Sequence, residues 1–334
     1  MPARALRGVN LGAWLVLEKW MTPSVFAGTD AGDEWSLSQT PGARDKIERH
    51  RQSFISEADF AWIKTHGLDA VRLPLGHWTL EEKAPYFSGA RHVDDAFEWA
   101  RKYDLQVLID LHGAPGSQNG WDHSGHAGPL DWPQPENVAA TVRALEIIAE
   151  RYGNHPNLWG LEALNEPRWD VPLDTLKAFY QTAYARVRAQ MPDDRAFVMH
   201  DGFRPFEWGG FMDGDGFQNV VLDTHIYQAY TEEDRKRSPS DQVRRALDRA
   251  REVEKIGAQK WPIVGEWSNA IAWDAVKELA PLQRELLTRG YGAAQIMSYE
   301  RAHGWFYWSL KTENPGEWNF RAMVERGFLP SNFA

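Results

Sequence analysis

The 334-residue chain contains no cysteine. That removes disulfides, thiolate zinc sites and cysteine nucleophiles together, and it leaves the redox compartment undetermined. Positive charge is also short: 37 Lys+Arg stand against 47 Asp+Glu, a formal charge of −10. The electrostatic footprint of a nucleic-acid binder, or of a protein held on an anionic membrane, is therefore missing. No apolar run approaches the roughly 18 residues of a spanning helix. The nearest approach to a leader is Arg4 and Arg7 ahead of Val9 to Leu17. Asn10 interrupts it, Glu18 closes it and no small-x-small cleavage site follows, so it reads as part of the fold. With no signal peptide in the numbered chain, the protein is expected to be cytoplasmic, or a secreted or periplasmic mature form whose leader has been removed. No G-x-S-x-G, P-loop, H-E-x-x-H or Rossmann fingerprint occurs, so acyl transfer, phosphoryl transfer and nicotinamide chemistry lose their usual anchors.

What is present is an ordinary globular balance, 43% hydrophobic and 25% charged, with an unusual 17 tryptophans. Short β-branched or aromatic runs alternate with amphipathic stretches. The runs at 6–9, 70–73, 107–111, 160–164, 196–199, 220–224, 263–265 and 305–308 predict strands. Ser56 with Asp59 is a helix start, and Gly67 closes that helix. Val138, Val142, Leu145, Ile148 and Tyr152 form the apolar stripe of a second helix. Leu176, Phe179, Ala183 and Val187 line a third, and Val243, Leu247, Ala250 and Val253 a fourth. Trp62 and Trp99 sit on helical faces turned toward a core. Strands alternating with helices, without linker or solenoid repeat, predict a single-domain α/β fold over 1–334, a (β/α)8 TIM barrel. An open doubly wound sheet would need a glycine fingerprint after the first strand.

In such a barrel the chemistry sits at the C-terminal ends of the strands. This chain places Asn10, Arg72, His112, Asn165 with Glu166, His200 with Asp201, His225 with Tyr227, Glu266 and Trp308 there. Glu166 in Asn165-Glu166-Pro167 follows the fourth strand, where Pro167 favours an extended backbone at Glu166. Glu266 in Gly265-Glu266-Trp267 follows the seventh. Strands four and seven face each other across a barrel, so the two carboxyls can meet. Carboxyls about 5 to 5.5 Å apart suit a retaining glycosidase, one protonated to serve the leaving oxygen and one attacking the anomeric carbon. Arg72 and Tyr227 are placed to hold the attacking carboxylate ionised.

Several segments resemble glycoside hydrolase family 5, and within it the exo-β-1,3-glucanase branch. They are Arg7-Gly8-Val9-Asn10-Leu11-Gly12, Val71-Arg72-Leu73-Pro74-Leu75-Gly76, the run from Asp110 to Gly120, Asn165-Glu166-Pro167, His225-Ile226-Tyr227-Gln228, Gly265-Glu266-Trp267-Ser268 and the run from Trp308 to Asn314. The resemblance implies Glu166 as general acid/base and Glu266 as nucleophile. It places Arg72, His112, Asn165, His225, Tyr227 and Trp308 at shared active-site positions, with Asn165 on the sugar 2-hydroxyl and Trp308 under the ring. Glu18 and Asp122 match positions that bind a terminal glucose, and Trp121 and Tyr230 match an aromatic pair that clamps the next sugar. The implied partner is a β-glucan or oligosaccharide, with no cofactor or metal. The acidic charge argues against nucleic acid and membrane, and the chain is expected to be a monomer. Ala13 stands where the branch has glycine and His123 where it has asparagine. The segment from Trp267 to Trp308 is short, which opens endo action or transglycosylation on β-1,3 or β-1,6 linkages as alternatives to exo hydrolysis. A barrel that binds glycan without catalysis is the alternative of another class.

Three lesser signals read as structure. Asp122, His123 and His126 lack a fourth ligand for a metal, Asp213 to Gly216 is a turn, and Arg235 to Arg237 lie on a solvated helix face. Of the tryptophans, Trp308, Trp267 and Trp121, with Trp14 and Trp132, are expected around a sugar cleft.

Overall fold

Alternation along each strand gives it one face toward the helices and one toward the barrel axis. In the computed structural model, which describes residues 5–334, the strands are β1 (Leu6–Asn10), β2 (Ala70–Gly76), β3 (Gln106–Gly113), β4 (Leu158–Glu162), β5 (Ala196–His200), β6 (Val220–His225), β7 (Trp261–Trp267) and β8 (Gly304–Tyr307). They close in chain order into an all-parallel barrel, β1 pairing with both β2 and β8. Arg4 lies outside the described residues.

Outward residues Val71, Leu73 and Leu75 of β2 and Val107, Ile109 and Leu111 of β3 pack with helix residues Val93, Phe97, Leu145 and Ile148 in the main core. Inward residues Leu6, Ala70, Leu108, Trp159, Val198, Val221, Ile263 and Phe306 fill a separate apolar layer toward the strand starts. Above it the inward positions become polar: Asn10, Arg72, Asp110, Glu162 and Asp223, all buried. A barrel wrapped in helices has no solvated face, so this charged layer must be paired internally.

The predicted helices form at Glu57–Thr65, Pro135–Tyr152, Leu173–Arg188 and Pro239–Gly257. The Asp59 carboxylate accepts from the Ser56 N–H at 2.8 Å, completing the expected capping box. Trp62 and Trp99 are partly buried against the main core.

Some expectations fail locally. β4 starts and ends two residues earlier than the apolar run suggested, so Ala163 to Pro167 form its exit loop. On Pro239–Gly257 the buried face is Gln242, Ala246, Val253 and Ile256, while Leu247 is 44% exposed. Gln242 is buried because its amide donates to the Asp234 carbonyl at 2.7 Å and accepts from Gln228 at 2.8 Å, a face apolar periodicity does not register. Arg237 is not solvated: it pairs with Asp234 at 2.7 Å and Glu233 at 2.8 Å just after the short helix Glu232–Lys236. Trp14, Trp132 and Trp267 are fully buried in the core and do not face a cleft. Among the described residues no helix is long and apolar enough to cross a membrane.

Candidate active site

Arg72, from the middle of β2, organises the polar layer. Its guanidinium donates to Glu162 at 2.8 Å, Glu266 at 3.1 Å, the Asn10 side-chain oxygen at 3.0 Å and the Asn165 side-chain oxygen at 2.8 Å, with Asp110 at 3.1 Å. Its fork of donors suits several acceptors at fixed angles, which a lysine could not satisfy. Glu162 is nonetheless pushed well above the usual carboxylate range, by burial first and by Asp223 and Asp110 against the pull of Arg72.

Glu266 is aimed by an irregularity. Ile263 belongs to the interior layer and Trp267 to the outer core, and the β7–β8 register shifts between Val264 and Trp267. The shift turns Glu266 to the mouth, as bulges beside active sites commonly do. There one carboxylate oxygen accepts from Arg72, and the other accepts from the Tyr227 hydroxyl at 2.8 Å. Burial pushes its carboxyl up to about 7, with Glu166 adding to the rise while His225, Arg72 and Tyr227 oppose it.

Glu166 sits in the β4 exit loop with φ of 41°. Its backbone is left-handed, not extended as Pro167 suggested. Such a conformation costs about 1–3 kcal/mol for a non-glycine residue and persists only where surroundings impose it. They do so here: Asn119 donates to the Glu166 carbonyl at 3.2 Å, Gln118 to the Asn165 carbonyl at 2.9 Å, and the Asn165 N–H to the Leu111 carbonyl at 3.0 Å. The Glu166 carboxylate meets His225 Nδ1 at 2.6 Å and His123 Nε2 at 3.4 Å. Burial works to raise its pKa but is outweighed by His225, then His123 and His200, which hold it below the usual range. His225 in turn is raised well above its ordinary value against burial by Glu266 and Asp223.

His225 Nδ1 is also 3.5 Å from a Glu266 oxygen. Both carboxylates reach the same nitrogen, so their nearest oxygens are separated by no more than the two legs together, about 6 Å.

His112 Nδ1 donates to the Asp110 carboxylate at 2.6 Å, and its ring stacks on Trp308 with centroids 5.3 Å apart and planes at 7°. Burial lowers its pKa to about 4 despite Asp110, so it is neutral near pH 7. Asn165, its oxygen engaged by Arg72, leaves its Nδ2 buried without a partner. Glu18 accepts from Trp20 Nε1 at 2.8 Å and leaves its other oxygen buried and unpartnered. Burial, then Asp122, raises its pKa well above normal.

Of the residues predicted for the site, Glu18, His112, Trp121, Asp122, Glu166, His225, Tyr227, Tyr230, Glu266 and Trp308 line one cleft of about 1060 Å³. Arg72 and Asn165 lie directly beneath, through the bonds above. Trp121 and Tyr230 belong to separate ring clusters, one with Trp169 and Phe203, the other with Tyr227 and Trp318. His123 and His126 do not converge: the first faces Glu166 and the second stacks on Trp35 at 4.3 Å. Among the described residues two trios are close enough to share an ion, Glu166–His200–His225 and Glu162–Asp223–His225, and both are parts of the charge network itself.

Sequence reading missed Asp110, Glu162 and Asp223 as members of that network, and Trp20, Trp169, Phe203 and Trp318 as cleft residues. The carboxylates carried a signal: each interrupts a strand of otherwise apolar residues at an inward position, where a charge needs a partner.

A model of the cellulase family, glycosyl hydrolase family 5, matches residues 31–314. The chain is 38% identical over 374 positions to a glucan 1,3-beta-glucosidase of Blumeria graminis, covering 97% of this chain and 86% of the relative. It is 37% identical to a probable glucan 1,3-beta-glucosidase A of Aspergillus niger, over 99% and 88% of the two chains. Both alignments are longer than the 334-residue chain, so this chain carries deletions relative to them. Among solved structures, rutinosidase from Aspergillus niger superposes with a TM-score of 0.81 at 20% identity over 98% of each chain, and the Thermotoga maritima endoglucanase Cel5A with 0.63 at 18% over 98% and 97%. At those identities the shared feature is the barrel.

Proposed function

Because the chain belongs to glycosyl hydrolase family 5, we propose that it hydrolyses β-1,3-glucan from the chain end with retention of configuration. Glu266 is the nucleophile and Glu166 the acid/base. The observation that carries this reading is the meeting of the two carboxyls on His225 Nδ1 while Glu266 alone is gripped by Arg72 and Tyr227.

In the first step a Glu266 oxygen bonds to the anomeric carbon as the glycosidic bond breaks, and the departing oxygen takes a proton from Glu166. In the second, Glu166 takes a proton from water as that water displaces Glu266, releasing the β-sugar. Glu166 must therefore begin protonated, although His225 holds it ionised in the free enzyme. The same proton count is reached by transfer along the 2.6 Å Nδ1···Oε1 hydrogen bond. A sugar that expels water from the cleft favours the uncharged pair, because unscreened charges become costlier. Asn165 Nδ2 is free to donate to the 2-hydroxyl, a bond that strengthens as the oxocarbenium-like transition state forms. His112 and Trp308 make the floor, and Glu18 with Asp122 receives the hydroxyls of the terminal sugar.

A time course on laminarin, with anomers resolved, tests this. β-Glucose as the first product supports it. Initial α-glucose refutes retention, and early release of mixed oligosaccharides favours the endo or transglycosylating alternative that the deletions keep in view. Glu266→Ala should lose turnover and recover it with azide, yielding an α-glucosyl azide. Activity without azide would remove Glu266 from the nucleophile's role.

A further inference from the structure

Trp169 is 58% exposed and lines the cleft, three residues beyond Glu166 in the β4 exit loop. More than half of that ring is left open to solvent, and the loop that carries it is held on several sides. The Arg168 N–H donates to the Gln118 carbonyl at 3.1 Å, and the Arg168 guanidinium to the Asn119 carbonyl at 3.2 Å and, with two nitrogens, to Asp170 at 2.7 Å each. The Trp169 ring lies 5.8 Å from that of Trp121, tilted 48°, and 6.0 Å from that of Phe203, nearly edge-on at 72°. Phe203 is held at φ of 60° by the Asp201 carboxylate, which accepts its N–H at 2.6 Å. For a bulky residue that conformation is an outlier that persists only where its surroundings impose it, so the edge that Phe203 presents to Trp169 is fixed in place.

We propose that Trp169 is a stacking platform for the second sugar of the leaving group, so that the protein discriminates among oligosaccharides by chain length beyond the sugar next to the cleaved bond. The side is fixed by the chemistry: Glu166 protonates the departing oxygen, so the surface continuing outward from Glu166 along its own loop faces the departing sugars. The ligand class follows from the ring, whose apolar face matches the C–H face of a pyranose and has no fixed charge partner. A prepositioned ring also loses little entropy on binding. This rests on the assignment of Glu166 as the acid.

The test compares wild type, Trp169→Ala and Trp169→Phe on an aryl β-glucoside and on β-1,3-linked di-, tri- and tetrasaccharides. In wild type, kcat/KM should rise from disaccharide to trisaccharide. In Trp169→Ala the ratio of trisaccharide to aryl glucoside should fall about tenfold, through KM more than kcat, and Trp169→Phe should restore part of it. A wild-type ratio that does not rise with length, or an equal loss on every substrate in Trp169→Ala, overturns the platform. Glu166→Ala keeps the two readings distinct. If it is as active as wild type on an aryl glucoside with a poor leaving group, the acid assignment fails, whatever the length dependence shows.

Discussion

Gly265→Ala adds one methyl group beside Glu266, the proposed nucleophile, and its effect follows from where that methyl lands. A Cβ at 265 would lie 1.8 Å from one Asp223 carboxylate oxygen, 2.4 Å from its carbon and 2.5 Å from the other oxygen. Asp223 is fully buried and cannot swing into solvent. One of its oxygens accepts the Gly265 N–H at 2.6 Å, and the Gly265 carbonyl accepts from Asn10 at 2.9 Å. To admit the methyl, the carboxylate must retreat and that charged hydrogen bond must lengthen or break, costing about 1.5–3 kcal/mol. Overpacking of the surrounding layer adds about 1–3 kcal/mol. The expected destabilisation is therefore about 2.5–6 kcal/mol, a large part of a total that is typically about 5–15. Because residue 265 precedes Glu266, any retained fold should carry a displaced nucleophile, and a shift near 1 Å costs about a hundredfold in rate. Urea unfolding and kcat on an aryl β-glucoside measure the two effects. Gly290→Ala is the control: it lies in the helix Pro281–Tyr299 with its nearest neighbour at 3.9 Å, and should be neutral or stabilising by up to about 1 kcal/mol. Wild-type stability and kcat in Gly265→Ala would show that Asp223 is not a fixed anchor of the nucleophile's backbone.

Tyr227→Phe removes the 2.8 Å donor to Glu266. Loss of a bond that favours the ionised form raises the Glu266 pKa further, so the acidic limb of the kcat/KM profile should move upward by about one to two pH units, and an unmoved limb would contradict the assigned contact. Asp201→Asn tests a buried carboxyl that burial raises to about 7, with a Thr224 hydrogen bond opposing the rise. The folded protein keeps that proton while the unfolded chain releases it near pH 4, so wild-type stability should fall as pH rises from about 4 to 7 and level off above. The amide keeps an acceptor for Phe203 and has no such penalty, so its stability advantage should grow across that window, and an advantage independent of pH would refute the raised pKa.

The barrel was legible because its strands are β-branched and apolar on the helix-facing side and its helices carry stripes and stop signals, patterns written in nearest neighbours along the chain. Glu166 and Glu266 were legible because each stands in a short run after a strand, and opposed strands bring such runs together. The features that aim them were not. The left-handed backbone at Glu166 runs against the local effect of Pro167 and is imposed by Gln118 and Asn119, some 47 residues away. The turn of Glu266 toward the mouth comes from a register shift against β8, which no property of Gly265-Glu266-Trp267 alone specifies.

The same division accounts for the tryptophans that were misplaced. Trp267 adjoins Glu266 in sequence, and with regular alternation one of the two would face the helices in any register, so proximity to a catalytic residue said little about which way its ring pointed. It packs edge-on against Trp305 and Tyr307 at 5.4 and 4.8 Å, on the outside of the barrel. Trp169, by contrast, lies three residues beyond Glu166 in an irregular loop, where no alternation applies and its surroundings are the anchored Arg168 and the rings of Trp121 and Phe203. The strand neighbour of Glu266 is thus committed to the core, and the loop neighbour of Glu166 is left in the cleft. Replacing Trp169, 58% exposed in the cleft, should therefore disturb the fold far less than replacing Trp267, which is fully buried.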